Sequence, residues 1–175
     1  MFKIGDKVVY PHHGAGTVVK KEQREVLGQK REYLTIKILH NDMTVNVPCE
    51  NAEAVGLRRV IDEVMVEKVL KALQGSGTVM PKNWNRRFKH NRDKMKTGDI
   101  LELAEVVRNL SLRDVEKGLS TGEKQMFVKA KKILASELMY AKAMDEDEAG
   151  AWLDNVLSTV SNGKKKTRVA AGVSA

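Results

Sequence analysis

The spacing of the apolar residues changes near Pro48, and this change divides the chain into two unlike parts. From Phe2 to about Pro48 the apolar residues alternate with a period of two, as they do between Leu34 and Ile38. Alternation of this kind is typical of half-buried strands, and turn signals rich in Gly, Asn and Asp separate the runs. We therefore expect roughly four or five short strands. Over residues 1–55 they would form a small, strongly bent antiparallel barrel of the SH3 or Tudor type.

After Pro48 the apolar residues follow a helical period instead. The expected landmarks, in chain order, are an apolar stripe from Val66 to Leu73, a helix cap at Asp99, a separate short turn from Leu112 to Lys117, an S-x-x-E capping box at Ser120 and Glu123, and a last helix that begins near Asp145. Roughly four to six helices over residues 60–160 would form a compact bundle. The expected fold class is thus α+β, with an N-terminal barrel and a C-terminal helical bundle.

The positive charge is concentrated in two short segments. Residues 82–96 carry seven basic groups and one acidic group, and residues 161–175 carry four basic groups and no acidic one. The whole chain has a formal net charge of +8, so the rest of it is slightly acidic. A basic run is often only a solvated helix face, but this concentration favours contact with a nucleic acid. Residues 161–175 also lack apolar periodicity, which predicts a disordered basic tail.

The residue pattern gives little support to catalysis or metal binding. There is no glycine-rich loop that ends in Gly-Lys-Ser/Thr, no G-x-S-x-G elbow and no H-E-x-x-H helix. The only cysteine, Cys49, is expected to be a small core residue rather than a nucleophile. His12 and His13 are adjacent and lack enough further ligands nearby for a tetrahedral metal site. We expect no enzymatic activity, no cofactor and no metal. A cytosolic chain that does not associate with membranes is also expected.

The segment from Pro81 to His90 carries the pattern of a functional surface. Trp84 is surrounded by basic residues, and on a helix it would neighbour Arg87 and Phe88. Arginine and lysine neutralise phosphates, and an aromatic side chain can enter the minor groove or unstack a base step. The alternative is a core tryptophan, because tryptophan is highly buried on average. The polar neighbours of Trp84 in the sequence favour exposure.

Four separated motifs occur in a fixed order along the chain: Phe2-Lys3-Ile4-Gly5-Asp6-Lys7-Val8-Val9-Tyr10-Pro11-His12-His13-Gly14, then Val47-Pro48 with Glu50-Asn51-Ala52, then Asn83-Trp84-Asn85-Arg86-Arg87, and finally Gly118-Leu119-Ser120-Thr121-Gly122-Glu123-Lys124. Together they closely resemble the CarD family of bacterial transcription regulators, in register from about residue 1 to 160. The resemblance implies an N-terminal Tudor-like domain that binds the RNA polymerase β subunit and a helical domain that contacts promoter DNA. A transcription-repair coupling factor shares the N-terminal module, but the helical half here lacks motor motifs, which points to the short, stand-alone regulator.

The resemblance also implies a DNA-binding site in the helical half. Trp84 matches the family tryptophan that enters the minor groove at the upstream edge of the transcription bubble. The basic residues that the resemblance assigns to the DNA contact are Arg86, Arg87, Lys89 and Lys124.

A polymerase-binding site is implied in the strand half. Arg24 matches an arginine that contacts the β subunit, whereas Asn46 stands where some family members have arginine. The short strand that contains Val45, Asn46 and Val47 could pair its edge with a strand of the partner.

The expected function is that of a monomeric, cytoplasmic and nucleoid-associated transcription regulator. It would bind the RNA polymerase β subunit, contact promoter double-stranded DNA without sequence specificity, and stabilise the open promoter complex. The alternative is a general nucleic-acid-binding architectural or ribosome-associated protein. Co-purification with RNA polymerase in the absence of nucleic acid would separate the two.

Overall fold

The computed structural model describes residues 1–172 of the chain, with side-chain placement described through Lys164. Five strands come first: β1 (Lys7–Tyr10), β2 (Gly14–Val26), β3 (Gln29–Ile38), β4 (Thr44–Pro48) and β5 (Arg58–Arg59). They form one antiparallel sheet in the order β4-β3-β2-β1-β5, and we call residues 7–59 the sheet region. The antiparallel strand half expected from the alternating pattern is confirmed.

The sheet curves around its own apolar core. Leu34, Ile36 and Ile38 of β3 are buried on one face, as the period of two predicts. The pairing of β2 with β3 shifts between Val18 and Lys20, and such a bulge bends a strand and increases its twist. Beyond the bulge β2 and β3 continue as an exposed hairpin whose turn is Leu27-Gly28, both with positive φ.

Five helices follow: α1 (Glu63–Gln74), α2 (Trp84–Lys96), α3 (Ile100–Lys117), α4 (Thr121–Ala141) and α5 (Glu146–Gly172). We call residues 63–172 the helical region. Its core includes Val69, Leu110, Leu134 and Leu153, one from each of four helices, and each of these is at most 1% exposed. The α+β class and the helical bundle are confirmed.

Helix starts match the caps that the sequence predicted. The Asp99 carboxylate accepts hydrogen bonds from the backbone N–H groups of Leu101 and Glu102, at 2.7 and 3.2 Å. At the start of α4, Ser120 and Glu123 form the reciprocal capping box. The separate turn expected from Leu112 to Lys117 is wrong, because α3 runs unbroken until Gly118 with its φ of +74°.

The C-terminal segment also differs from the expectation. The structure continues α5 to Gly172, so the residues from Ser161 to Gly172 are helical rather than disordered. The stretch contains no proline that would interrupt a helix, and the Ser161 hydroxyl donates to the Leu157 carbonyl at 3.0 Å instead of to a group outside the helix. Residues 173–175, the end of the expected tail, lie outside the described residues.

The sheet region is joined to α4 by polar contacts in a closely packed interface. Arg58 donates two hydrogen bonds to the buried Glu137 carboxylate, at 2.6 and 2.8 Å. The Ser136 hydroxyl accepts from the Ala15 backbone N–H at 2.9 Å, and the Thr17 and Tyr140 hydroxyls lie 2.7 Å apart. A bidentate Arg–Glu pair restricts both distance and orientation, so these contacts fix how the two regions sit against each other.

Within residues 1–172, no helix combines the length and the apolar character needed to cross a bilayer.

Candidate nucleic-acid interface

The N-terminus of α2 places Trp84 at the surface of the helical region. Asn83 caps the helix, and its side chain accepts a hydrogen bond from the Arg86 backbone N–H at 3.1 Å. Trp84 is therefore the first residue of α2, where a side chain projects from a helix end. The segment around Trp84 is helical, as the sequence analysis assumed.

The Trp84 ring is half exposed and firmly held. Its relative exposure is 42%, and it stacks on Phe88 with a centroid distance of 5.1 Å and an interplanar angle of 21°. The indole Nε1–H donates to the Ser120 hydroxyl at 2.8 Å. Gly122 lies against both rings, since a Cβ on it would stand 3.4 Å from Trp84 and 3.5 Å from Phe88. Trp84 is thus an exposed aromatic platform supported from one side, not a core residue.

Arg87 departs from its expected place among the DNA contacts. Its side chain is buried, and its Nε donates to the Glu123 carboxylate at 2.6 Å. The guanidinium also donates to the carbonyls of Pro81 and Lys82, at 3.2 and 3.1 Å. Because its donors are satisfied inside the protein, Arg87 ties α2 and the preceding loop to α4, and in this structure it is not available to a phosphate.

Glu123 connects the capping box with α2. Burial disfavours the ionised carboxylate, but hydrogen bonds from Arg87 and Ser120 outweigh it and hold the pKa of Glu123 below its usual value. The charged form is therefore the stable one at neutral pH. This one carboxylate holds Arg87 and also accepts from the Ser120 hydroxyl, whose oxygen accepts the hydrogen bond from the Trp84 indole.

The exposed cations of α2, of the loop before it and of the first turn of α4 are Lys82, Arg86, Lys89, Arg92, Lys96 and Lys124. Lys89 lies 3.3 Å from Asp93, an exposed pair that is weak in water. Lys94 is turned to the protein instead: burial opposes its charge, but hydrogen bonds to Glu105 and Glu102 raise its pKa. The basic segment thus presents part of its charge to solvent and uses Arg87 and Lys94 as internal ties.

Three cations on this surface, Lys82, Arg92 and Lys96, were missing from the expected site residues. Arg92 and Lys96 follow Phe88 at intervals of four residues and are exposed on the same face of α2. The helical spacing was available as a signal in the sequence. The contacts of Trp84 with Ser120 and Gly122 were not, because they join residues 36 and 38 positions apart.

The expected polymerase-binding residues lie on two strands of the sheet, β2 and β4, which β3 separates. Arg24 is exposed on β2, donates to Glu22 at 2.5 Å and lies 6.0 Å from the Tyr33 ring. Arg24 pairs with Arg31 of β3, two residues before Tyr33, which pairs with Pro48 at the end of β4.

β4 forms an edge of the sheet in the described residues. Val47 is buried and Val45 half-buried, so their side chains belong to the core rather than to a surface. Asn46 is exposed, and its side-chain oxygen accepts a hydrogen bond from Thr35 at 2.9 Å. What β4 offers a partner is its outer backbone edge and the Asn46 side chain.

Cys49 and the histidines are the residues considered for other chemistry. Burial, and next the charge of Glu32, raise the pKa of Cys49, which disfavours a reactive thiolate. Among residues 1–164, no three His, Cys, Asp or Glu side chains are grouped so that they could hold a metal ion.

Comparisons with known proteins cover both regions of the chain. The family model of the CarD-like/TRCF RID domain matches residues 2–61, and that of the CarD C-terminal domain matches residues 68–154. A Bacillus subtilis (strain 168) protein, YdeB, which bears the name of a transcription factor, is 38% identical over 148 residues; these are 85% of this chain and 97% of YdeB. The solution NMR structure of the 72-residue N-terminal domain of Myxococcus xanthus CarD is 34% identical over 34% of this chain and 79% of its own, with a TM-score of 0.30. By the two family models and the Bacillus relative, the chain belongs to the CarD family of transcription regulators.

Proposed function

We propose that this regulator binds the RNA polymerase β subunit through its sheet region and promoter DNA through its helical region, and that it stabilises the open promoter complex. The observation that carries the proposal is the half-exposed Trp84, stacked on Phe88 and anchored to Ser120 amid exposed cations. A rigid aromatic ring with cations around it suits the junction between duplex and melted DNA, where a base step is already open.

The DNA contact is independent of base sequence. Lysines and arginines lie near Trp84 and neutralise phosphates, which carry no sequence information, and the side-chain oxygen of the neighbouring Asn83 is engaged as the cap of α2. The affinity of the Trp84 contact depends on how easily the base step at that position unstacks. Selectivity among promoters then follows from how unstable each open complex is.

The polymerase contact uses the edge of the sheet. The outer backbone groups of β4 can extend a strand of the β subunit, and Arg24 adds a positive charge two strands away, on β2. Val45 and Val47 hold β4 to the core, while Asn46 stands at the surface. Edge pairing depends mainly on the backbone, so the strand retains this capacity with asparagine at residue 46.

The proposed mechanism is thermodynamic. Promoter melting by the polymerase is reversible, and a factor that binds the open state more tightly shifts the equilibrium by its differential affinity. Attachment to the polymerase raises the local concentration of Trp84 at the DNA, so weak intrinsic DNA binding suffices. The Arg58–Glu137 pair keeps the DNA surface in a fixed relation to the attached sheet region.

The test combines attachment with promoter opening. Purified chain is mixed with nuclease-treated RNA polymerase and recovered by pull-down, and open-complex decay is followed after addition of a competitor. We expect retention by the polymerase without nucleic acid and slower decay in the presence of the chain. Arg24→Glu should weaken retention and leave the circular dichroism spectrum unchanged, with Lys68→Glu as an exposed control on α1. Binding to DNA without retention by the polymerase would favour a general architectural protein instead.

A further inference from the structure

Next to the Trp84 surface, a basic groove lies between the sheet region and α4. Its volume is about 500 Å³. The titratable side chains that line it are His12, His13, His40, Lys124, Lys129 and Lys132, and this lining, all of it within the described residues, includes no carboxylate. In a chain with 23 Asp and Glu residues, such a one-sided lining makes a site of strongly positive potential.

The lysines of the groove form a regular row on α4. Lys124, Val128 and Lys132 follow one another at intervals of four residues, and Lys129 lies beside them. Eight residues of helix rise by about 12 Å. A DNA duplex rises 3.4 Å along its axis for each base pair, and because the strands wind around that axis, successive phosphates of one strand lie farther apart than this rise. The row is therefore long enough to face more than one phosphate of a strand.

The opposite wall of the groove is preformed by the turn after β1. The His13 ring stacks on Tyr10 at 5.3 Å with an interplanar angle of 7°, and its backbone N–H donates to the Tyr10 carbonyl at 3.0 Å. Gly14, at a φ of +93°, packs so closely on α4 that a Cβ would approach the Ser136 hydroxyl to 2.7 Å. Little ordering free energy would be lost when a ligand binds between such walls.

The charges of the row are not consumed within the protein. Lys131, on the adjacent face of α4, pairs with Asp154, whereas the structure shows no ion pair for Lys124, Lys129 or Lys132 among its described side chains. The row therefore offers unneutralised cations to an external anion.

The groove is continuous with the Trp84 surface. An adjoining hollow of about 370 Å³ is lined by Phe88, Arg92 and Gly122, and His12 and Lys129 line both this hollow and the basic groove. Phe88 and Gly122 both touch Trp84. A basic surface thus runs from Trp84 across α2 and α4 to the turns of the sheet region.

We propose that this groove binds the phosphodiester backbone of the duplex arm that leads away from Trp84. Lys124, Lys129 and Lys132 contact successive phosphates, and the histidines supply further donors from the sheet region and its turns. The inference rests on the proposed function and deepens it, because it adds a path for the duplex and a DNA contact made by the sheet region itself.

The histidines make the contact sensitive to pH. Burial, and next the charge of Lys129, lower the pKa of His13; burial, and next Lys132, lower that of His40. The groups that face the two rings are His12, Lys124, Lys129 and Lys132, together with Glu146 of α5, which acts in the opposite direction on His40. Both rings are therefore neutral in the free protein near pH 7. A phosphate would favour their protonated forms, so affinity should rise as the pH falls below about 6.5.

The test compares two forked DNA probes in fluorescence anisotropy. One has a duplex arm of about 20 base pairs, and the other has the same fork with an arm of only about 2 base pairs, roughly 7 Å, closed by an interstrand cross-link, so that the arm ends before the lysine row does. The variant Lys129→Gln/Lys132→Gln removes two charges from the row, and Lys68→Gln/Lys71→Gln removes two exposed charges from α1 as the matched control. On the long arm, the groove variant should lose about five-fold in affinity for each lysine near 0.15 M salt. Its slope of log affinity against log salt should fall by about 1.8.

The two probes separate this proposal from the one on which it rests. Trp84→Ala should weaken both probes, whereas the groove variant should weaken only the long one. If Trp84→Ala lowers the affinity for the probes and the groove variant behaves like its control, the groove proposal is wrong and the proposed DNA contact of Trp84 stands. If neither acts, the proposed DNA site fails as well. Displacement of a fluorescent pyrophosphate analogue at micromolar concentration, with DNA affinity unchanged by the lysine substitutions, would instead show a small-ligand pocket.

The histidine contribution is tested by His13→Gln/His40→Gln. Wild-type affinity for the probe with the long arm should rise as the pH is lowered from 8 to 6, and the rise should be smaller in the double variant. Thermal melting of the variant shows whether the turn after β1 is intact, and the lysine variant tests the row independently if it is not. An unchanged pH dependence in a folded variant would remove the histidines from the contact.

Discussion

α4 carries a buried glutamate near each end, and the two carboxylates hold different parts of the molecule. Glu123 accepts from Arg87 at 2.6 Å and secures the turn that bears Trp84. Glu137 accepts two hydrogen bonds from Arg58 and a third from the Ile61 backbone N–H at 3.0 Å, and so secures the sheet region. Both contacts are arginine–glutamate pairs. The Arg87–Glu123 pair holds the local structure around Trp84, whereas the Arg58–Glu137 pair joins the sheet region to α4.

The difference between the pairs lies in solvent access. Arg87 is as buried as its glutamate, with 4% of its side chain exposed, whereas 27% of the Arg58 side chain is exposed. A charge that reaches water can recover solvation when its partner is lost, but a sealed charge cannot. Breaking the Arg87–Glu123 pair should therefore lower the free energy of unfolding more than breaking the Arg58–Glu137 pair.

The largest effect is expected for Glu123→Gln. The change leaves the Arg87 guanidinium buried without a countercharge, which costs about 3 to 5 kcal/mol in comparable cases. For a chain of this length the melting temperature should fall by roughly 2 to 4 °C for each kcal/mol. Thermal unfolding followed by circular dichroism measures the change, with exposed Glu67→Gln as the control. A loss no greater than that of the control would contradict the sealed-pair argument.

The same variant has a pH signature. The pKa of Glu123 is lowered in the folded chain, so its contribution to stability is complete above the ordinary value of about 4.3 and is lost as the pH falls through the lower, folded value. The difference in unfolding free energy between wild type and Glu123→Gln should thus shrink below about pH 4. A difference that stays constant down to pH 3 would show that Glu123 does not titrate in this way.

A smaller loss of stability is expected for Glu137→Gln, because Arg58 can turn toward water. We expect about 2 to 4 kcal/mol, with a wider structural consequence. Intrinsic binding of forked DNA to the helical region should be nearly unchanged, while slowing of open-complex decay should weaken because the two regions are less firmly joined. Retention of both activities at a reduced melting temperature would mean that the pair serves stability alone.

For Trp84→Ala the expected loss is mainly functional. Removal of a stacking ring is worth about 1 to 3 kcal/mol in other systems, which corresponds to roughly five-fold to over a hundred-fold in open-complex lifetime. Because the ring is 42% exposed, its removal should lower the melting temperature by only a few degrees. Binding to polymerase should be unaffected. A stable variant with normal decay would exclude Trp84 from promoter opening.

The smallest effect is expected for Ser120→Ala, which removes the helix cap and the acceptor for the Trp84 indole at once. Loss of a cap costs about 1 kcal/mol. Trp84→Phe, which removes the indole donor but keeps an aromatic ring, is the matched comparison. If the hydrogen bond from the indole to Ser120 positions the ring for DNA, both variants should shorten open-complex lifetime by a similar, modest factor. If only Ser120→Ala does so, the cap rather than the ring position is responsible.

The sequence predicted those features whose causes are local. Alternation in β3, the Asp99 cap and the capping box of α4 each depend on residues a few positions apart, and each is present. The buried position of Arg87 was not predicted, because a basic run carries no information on which of its members turns inward. Its partner Glu123 is 36 positions away, and the partners Arg58 and Glu137 are 79 apart. Those pairings depend on how the helices pack.

The unbroken course of α4 also restricts how its length can vary. About 100° of rotation separates successive helical residues, so one residue inserted between Glu123 and Glu137 would turn the sheet region to a different side of the helix relative to Trp84. Seven inserted residues would restore the angle to within about 20°, but they would lengthen the helix by about 10 Å. Relatives that keep both buried carboxylates should therefore keep the number of residues between them, even where the exposed side chains of that segment differ.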